Sequence, residues 1–259
     1  MKRIFDARGK GIYLKAGALW RPAGGLRLGA AIQTPTYLDL ETRMAVYGKA
    51  AVTGVSLPSC QSPEWEDMYT LVTPWRFNLG AAYTFGSVAL LSVDWEASNF
   101  RRNRFRESAD SGIYYGSAYF NNVNADIYDV LGWSHSLRAG AEVKLGEHFA
   151  LRGGYSLVTT PEHNYLEWVY DPADGQEHLR VFELTAQERA AMRRHCISGG
   201  VGFASGIFFL DAAVRCHLLP NRYFTPYEYN GTQDPVYDVP EVTATCRRWD
   251  AMVTLGLRF

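Results

Sequence analysis

Asp94 and Glu96 stand two residues apart in the segment LLSVDWE (90–96). On an extended chain that spacing places both carboxylates on one face. Paired carboxylates do acid–base work when their surroundings push their pKa values apart. Here Arg76 and Arg138 occupy equivalent positions in the flanking alternating segments, so the expected outcome is a salt-bridge network instead. Lys15, Arg27, Glu142, Arg152, Asp211 and Arg215 fall at the same parity of their own segments. No Ser/His pair shares a strand context with them, and no catalytic constellation, cofactor motif or nucleotide motif is found. The expected protein is not an enzyme.

His195-Cys196 and Cys216-His217 carry metal-ligand types. Parity sends His195 and Cys216 to one face and Cys196 and His217 to the other, so four ligands do not converge on one tetrahedral zinc. No metal site is expected. The four cysteines, Cys60, Cys196, Cys216 and Cys246, contain no CxxC pair. Arg101, Arg102, Arg104 and Arg106 form a basic cluster beyond the end of one segment. Arginine binds phosphate in bidentate fashion, so contact with lipopolysaccharide is the functional reading of this cluster, and a solvated loop is the plain one. Thr185-Ala-Gln-Glu188 fits a capping box that opens a short helix through Arg194.

The elements that position these groups are strands. Ile12, Leu14, Ala16, Ala18 and Trp20 alternate with more polar neighbours, and the same period of two recurs through residues 26–33, 75–85, 89–96, 137–145, 149–157, 197–203, 208–215 and 251–259. Nine strands are counted. One face is apolar and rich in rings; the other carries charges in mid-strand. Short turns near 22–25, 86–87, 146–148 and 205–206 alternate with long connections near 37–70, 97–130, 159–195 and 219–247. That is the arrangement of a transmembrane barrel with short periplasmic turns and long extracellular loops. Trp20, Trp75, Leu91, Leu137, Leu210 and Leu255 are expected to face lipid, and the charged face to line the lumen.

Composition agrees with this class. The chain has 259 residues, a net charge of -1, 47% apolar residues, 16 Tyr, 13 Phe and 7 Trp. Near-neutral charge argues against a nucleic-acid partner. No apolar run approaches the ~20 residues of a membrane-spanning helix. Residues 1–10 start with charge but show no apolar stretch of a secretory signal. The odd strand count and that start suggest a fragment, because open strand edges in lipid leave backbone groups unpaired.

The segments GIYLKAGALWRPAGGLRLGAAIQTPTY (11–37), TPWRFNLGAAYTFG (73–86), LLSVDWE (90–96), LRAGAEVKLGEHFALRGGYSL (137–157) and GVGFASGIFFLDAAV (200–214) resemble the C-terminal part of FadL-type outer-membrane transporters, in the form seen in Bacteroides-like bacteria. The terminal alternation through Leu255, Leu257 and Phe259 resembles the C-terminal signal read by the barrel assembly machinery. The resemblance spans most of residues 11–259 and implies an all-β, antiparallel barrel of 14 strands in the bacterial outer membrane, of which these are the last nine. It implies passive uptake of hydrophobic small molecules such as long-chain fatty acids, amid outer-membrane lipid and lipopolysaccharide. No segment matches the family's N-terminal hatch. The competing expectations are a structural or adhesive barrel and a soluble β-sandwich binding module.

Overall fold

The computed structural model describes residues 2–22, 24–48, 60–108, 117–224 and 242–257. In chain order the strands are β1 (Lys2–Ile12), β2 (Lys15–Trp20), β3 (Leu26–Gln33), β4 (Tyr37–Gly48), β5 (Cys60–Gln61), β6 (Trp65–Val72), β7 (Arg76–Phe85), β8 (Ala89–Asn99), β9 (Arg104–Glu107), β10 (Trp133–Leu145), β11 (Phe149–Val158), β12 (Asn164–Asp171), β13 (Gln176–Glu183), β14 (Arg194–Ser205), β15 (Phe208–Leu218), β16 (Arg222–Phe224), β17 (Val242–Ala244) and β18 (Arg247–Leu257). Helix α1 (Ser117–Val130) precedes β10, and α2 (Ala186–Ala191) precedes β14. A 3-10 turn, Phe100–Arg102, joins β8 to β9.

Nine of the strands form one antiparallel meander, in the order β18-β15-β14-β11-β10-β8-β7-β3-β2. These are the nine alternating segments of the sequence. The meander is open: β2 and β18 are its two edges, and they do not pair with each other. Every hairpin at one end turns on a glycine with positive φ: Gly24, Gly86, Gly146 and Gly206. A side chain is disfavoured in that backbone region, which is why glycine recurs there. In each pairing the apolar positions meet: Leu28 opposes Ala81, Leu79 opposes Trp95, Leu137 opposes Leu157, and Val201 opposes Ala212.

Four of these strands extend past the meander into a second sheet, with order β1-β4-β6-β9 and β5 beside β4. Residues 34–36 link β3 to β4 and are matched by 73–75 between β6 and β7. Only Tyr13 and Leu14 stand opposite them between β1 and β2, a one-residue mismatch that bends this edge. Asn124 of α1 closes the free edge of β9: it accepts from Phe105 N (2.8 Å) and donates to Phe105 O (2.9 Å), as a neighbouring strand would. Residues 2–12, 37–48, 65–72, 117–130 and 164–183, expected as the start of the chain or as loops, are therefore strand or helix.

Substantial packing runs only between sheet neighbours and around α1; among the described residues no sheet lies over either face of the meander. Accordingly no side chain there is fully buried. Of the buried apolar residues among those described, Ala97 belongs to the meander, Ala45 and Val72 to the outer sheet, Phe120 to α1, and Leu184 to the link between β13 and α2. Val253 remains 70% and Leu255 66% exposed on the apolar face.

Candidate functional site

The polar face of the meander gathers charged side chains from strands far apart in sequence. On its β8–β10 part, Arg138 opposes Asp94 in register. The Arg138 guanidinium donates from one Nη to Asp94 Oδ1 at 2.7 Å and from the other to Glu96 Oε2 at 3.1 Å. Asn78 of β7 donates to the same Glu96 oxygen at 3.1 Å. One arginine fork thus binds both carboxylates, an arrangement for holding strands together rather than for moving a proton.

A second group lies nearer the short turns. Arg152 Nε donates to Glu142 Oε2 at 2.7 Å, directly across the β10–β11 ladder. Its Nη1 then reaches Asp211 on β15, which is not a neighbour of β11. The intervening strand β14 presents Gly202 at that point. A Cβ there would lie 2.6 Å from Asp211 Oδ1 and 3.1 Å from Arg152 Nη1. The missing side chain is what lets the ion pair pass over the strand. Next to it, the Phe209 ring lies over Gly256 of β18, where a Cβ would be 2.3 Å from the ring.

A third group sits on β15 and β18, toward the long connections. Asp250 accepts from Arg215 Nε at 3.1 Å and Arg248 Nη2 at 3.3 Å, and His217 Nε2 lies 3.0 Å from the same oxygen.

The β2–β3–β7 part differs. Lys15 and Arg27 make no ion pair or hydrogen bond among the described residues, and Arg76 has only the more distant attraction of Glu96. Lys15 opposes Gln33, and Gln33 opposes Arg76, so two cations flank one amide in a single row. Below that row the polar-face positions are Gly17, Ala31 and Asn78, then Leu19, Gly29 and Gly80. A cavity of about 540 Å³ opens there, lined by Lys15, Gly80, Asp94, Glu96 and Arg138 among others.

The basic cluster divides. Arg101 Nε donates to Leu131 O at 3.1 Å and its guanidinium lies 4.8 Å from the centre of the Tyr128 ring. Arg104 donates to the carbonyls of Arg101 and Asn103. Both bond the turn that joins β8 to β9; of the four arginines Arg102 and Arg106 are the exposed ones. The His/Cys pairs separate by face: Cys196 opposes His217, while Cys216 opposes Ile197. His195 Nδ1 lies 2.7 Å from Tyr155 Oη on the apolar face. The four cysteines are free thiols.

Sequence spacing missed one cluster. Asp171, Asp174 and His178 meet at the tip of the β12–β13 hairpin, their ligand atoms within 4.8 Å of one another. They already bond each other and Arg180, and their turn is set by Asp171 and Asp174 accepting from backbone N–H groups. In the outer sheet, Arg43 is held above the usual arginine range by its hydrogen bond to Glu41 and the charge of Glu66. Leu255 and Leu257 project from the apolar face of the edge strand β18; Phe259 lies outside the described residues.

No protein-family model matches the chain, and no curated protein sequence matches it.

Proposed function

We propose that this chain forms the wall of a bacterial outer-membrane β-barrel that passes hydrophobic compounds, such as long-chain fatty acids, through its lumen without energy coupling. The observation that carries this reading is the nine-stranded meander with one exposed apolar face and one charged face. A layer of water-soluble protein would cover the apolar face with a second sheet or helices. Here lipid is the cover. Trp75, Trp95, Trp133, Tyr155 and Trp249 mark the apolar face near the long connections, and Trp20, Tyr83, Phe85, Phe149 and Phe208 mark it near the short turns. Such rows suit the two membrane interfaces. The ten residues of β7 between Trp75 and the end at Phe85 span about 34 Å of strand, or about 26 Å along the normal at a tilt of ~40°, against an apolar band of about 25 Å in outer-membrane barrels.

In this reading the charged face lines the lumen, the four glycine turns are periplasmic, and the outer sheet stands outside the cell. Arg102 and Arg106 are then the contacts available to lipopolysaccharide phosphates. Leu255 and Leu257, with Phe259, carry the assembly signal. A structural barrel without transport is the second reading, supported by the ion pairs that tie β8, β10, β11, β15 and β18 together. Uptake of labelled oleate separates the two. Cells without their own transporter, given a closed outer-membrane barrel that includes this chain, are expected to accumulate oleate faster than cells with an unrelated porin, whereas the open nine-stranded sheet by itself is expected not to restore uptake. Membrane insertion with no gain in uptake overturns transport and leaves the structural barrel.

A further inference from the structure

The apolar face of the meander carries a single charged side chain along all nine strands: Arg247, at the start of β18. It shares a row with His195 of β14, because His195 opposes Leu218 and Leu218 opposes Arg247. The two stand two strand spacings apart, about 10 Å. Arg193, two residues before His195, is a second exposed cation at this rim. Neither arginine has an ion pair among the described residues. The imidazole between them is held in place, with Nδ1 2.7 Å from Tyr155 Oη. When the hydroxyl donates to Nδ1, Nε2 carries the hydrogen and is free to donate to an anion.

Two further observations say what such an anion belongs to. The balance of sign reverses at this end of the meander. In the groups further in, one arginine meets two carboxylates: Arg138 meets Asp94 and Glu96, and Arg152 meets Glu142 and Asp211. At the rim one carboxylate, Asp250, faces Arg215, Arg248 and His217, and β18 has no other acid for Arg247. The surface directly beneath Arg247 and His195 is apolar and open. Its next row is Tyr155, Ile197, Cys216 and Trp249, and Trp249 is 68% exposed. A cation is tolerated at the edge of a membrane-facing wall and costly at its middle. Charge above and bare apolar wall below, on one face, is the shape of an amphiphile lying along the outside.

We propose that Arg247, Arg193 and the His195–Tyr155 pair bind a phosphate group of an outer-leaflet glycolipid, with its acyl chains lying down the apolar wall of β14, β15 and β18. This rests on the reading of the apolar face as lipid-facing, and it adds which lipid docks there and where. The long connections are extracellular in that reading, so the lipid at this rim is the phosphorylated glycolipid of the outer leaflet. The Arg247 guanidinium is a planar fork that matches two phosphate oxygens, and the imidazole adds a neutral donor beside it. The site is several strands away from Arg102 and Arg106, which follow β8.

The test uses the full chain in non-ionic detergent and native mass spectrometry, which counts bound molecules. The probes are a diphosphorylated, acylated glucosamine disaccharide, its phosphate-free counterpart, and inorganic phosphate. The diphosphorylated lipid is expected to bind roughly ten-fold more tightly than the phosphate-free one, the yield of two or three exposed charge-assisted contacts. Inorganic phosphate is expected to leave no adduct at the same concentration. The Arg193→Gln/Arg247→Gln double variant removes most of the preference, and His195→Leu lowers it about two-fold. Arg194→Gln, on the charged face, keeps it. Circular dichroism of each variant confirms the sheet. Equal binding of the two lipids by the unaltered protein overturns the phosphate site and leaves the lipid-facing reading intact. A preference that survives the double variant, or that Arg194→Gln removes, overturns the assignment to these residues. Inorganic phosphate bound as tightly as the lipid overturns the glycolipid in favour of a free anion. A chain that stays dispersed without detergent and takes up neither detergent nor lipid overturns the lipid-facing reading itself.

Discussion

The two halves of the nine-stranded sheet have the same topology and opposite polar faces. From β10 to β18, Arg138, Arg152 and Arg215 bind acidic partners across strand boundaries, and Arg248 binds Asp250 on its own strand. From β2 to β7 the face is mostly glycine and alanine around Gln33 and Asn78, with Lys15, Arg27 and Arg76 in no ion pair among the described residues. In the first half the mid-strand charges satisfy one another, and Lys144 and Arg194, near the ends of that face, are the cations there without an ion pair among the described residues. The second half keeps open space and free charge. A sheet with nothing packed over it cannot rely on a buried core for rigidity, and cross-strand charge pairs are one substitute. The difference teaches that charge on such a face has two uses, and the presence of a partner tells them apart.

The largest expected effect is on the paired half. Arg138→Met leaves Asp94 and Glu96 side by side with only Asn78 donating to them, so like-charge repulsion replaces a shared fork. A loss of roughly 1–2 kcal/mol is expected, held down by the half-exposure of the group. Lys15→Met removes no partner and is expected to fall within about 0.5 kcal/mol of the unaltered protein. Urea unfolding in micelles reads both. Equal losses from the two variants break the distinction between the halves.

A smaller effect separates two glycines. At Gly202 an added methyl group meets the Asp211 carboxylate and the Arg152 guanidinium at 2.6 and 3.1 Å. At Gly80 the nearest atoms are Asp94 Oδ2 at 3.7 Å and Val93 O at 3.8 Å, which is ordinary contact. Gly202→Ala is expected to lose about 1 kcal/mol by pushing the ion pair off the strand. Gly80→Ala is expected to be neutral or to gain about 0.5 kcal/mol through the less flexible unfolded chain. Coupling sharpens the point: in an Arg152→Met background the Gly202 penalty should vanish. If it persists, the crossing is not what the glycine serves.

The same contrast explains what was legible in the sequence. The nine strands of the meander were readable because one face is kept apolar without interruption, as in Phe77, Leu79, Ala81, Tyr83 and Phe85. The Arg138 fork was readable too, since Asp94 and Glu96 share parity and the flanking arginines follow. The Arg152–Asp211 bond was not. It skips a strand, and only the register of β14 reveals Gly202 in the gap. The outer sheet was read as loop although Leu38 and Leu40 alternate with Asp39, Glu41 and Arg43. Its strands continue those of the meander, and residues 34–36, which carry no alternation, link β3 to β4. The bonds of Arg101 and Arg104 to carbonyl groups were not readable, because they are set by a short 3-10 turn that no periodicity announces.

The smallest expected effect concerns how each half is fed. Strands β2 and β7 follow strands of the outer sheet, whereas β14 in the paired half follows a capped helix. Thr185 Oγ1 accepts from Glu188 N at 3.2 Å, and the Glu188 carboxylate accepts from the Thr185 hydroxyl and Thr185 N, each at 2.7 Å. The hydroxyl hydrogen bond, then the backbone one, holds the Glu188 carboxyl below its usual range. A lowered pKa means that the stabilisation is complete above the unfolded value of about 4.3 and is lost as pH falls through the folded value. Acidification below about pH 4 is therefore expected to fray α2 and speed amide exchange at Arg189 and Met192, whose N–H groups bond Thr185 O and Glu188 O. The start of β14 follows two residues later and should loosen slightly, while β2 and β7 stay unchanged. Glu188→Gln keeps an acceptor at the same place but has no proton to gain. Its exchange should be flat across that range and slightly faster than the parent's at neutral pH. An acid-induced rise of the same size in Glu188→Gln would assign the effect to other carboxyls and remove the cap as the weak point of the paired half.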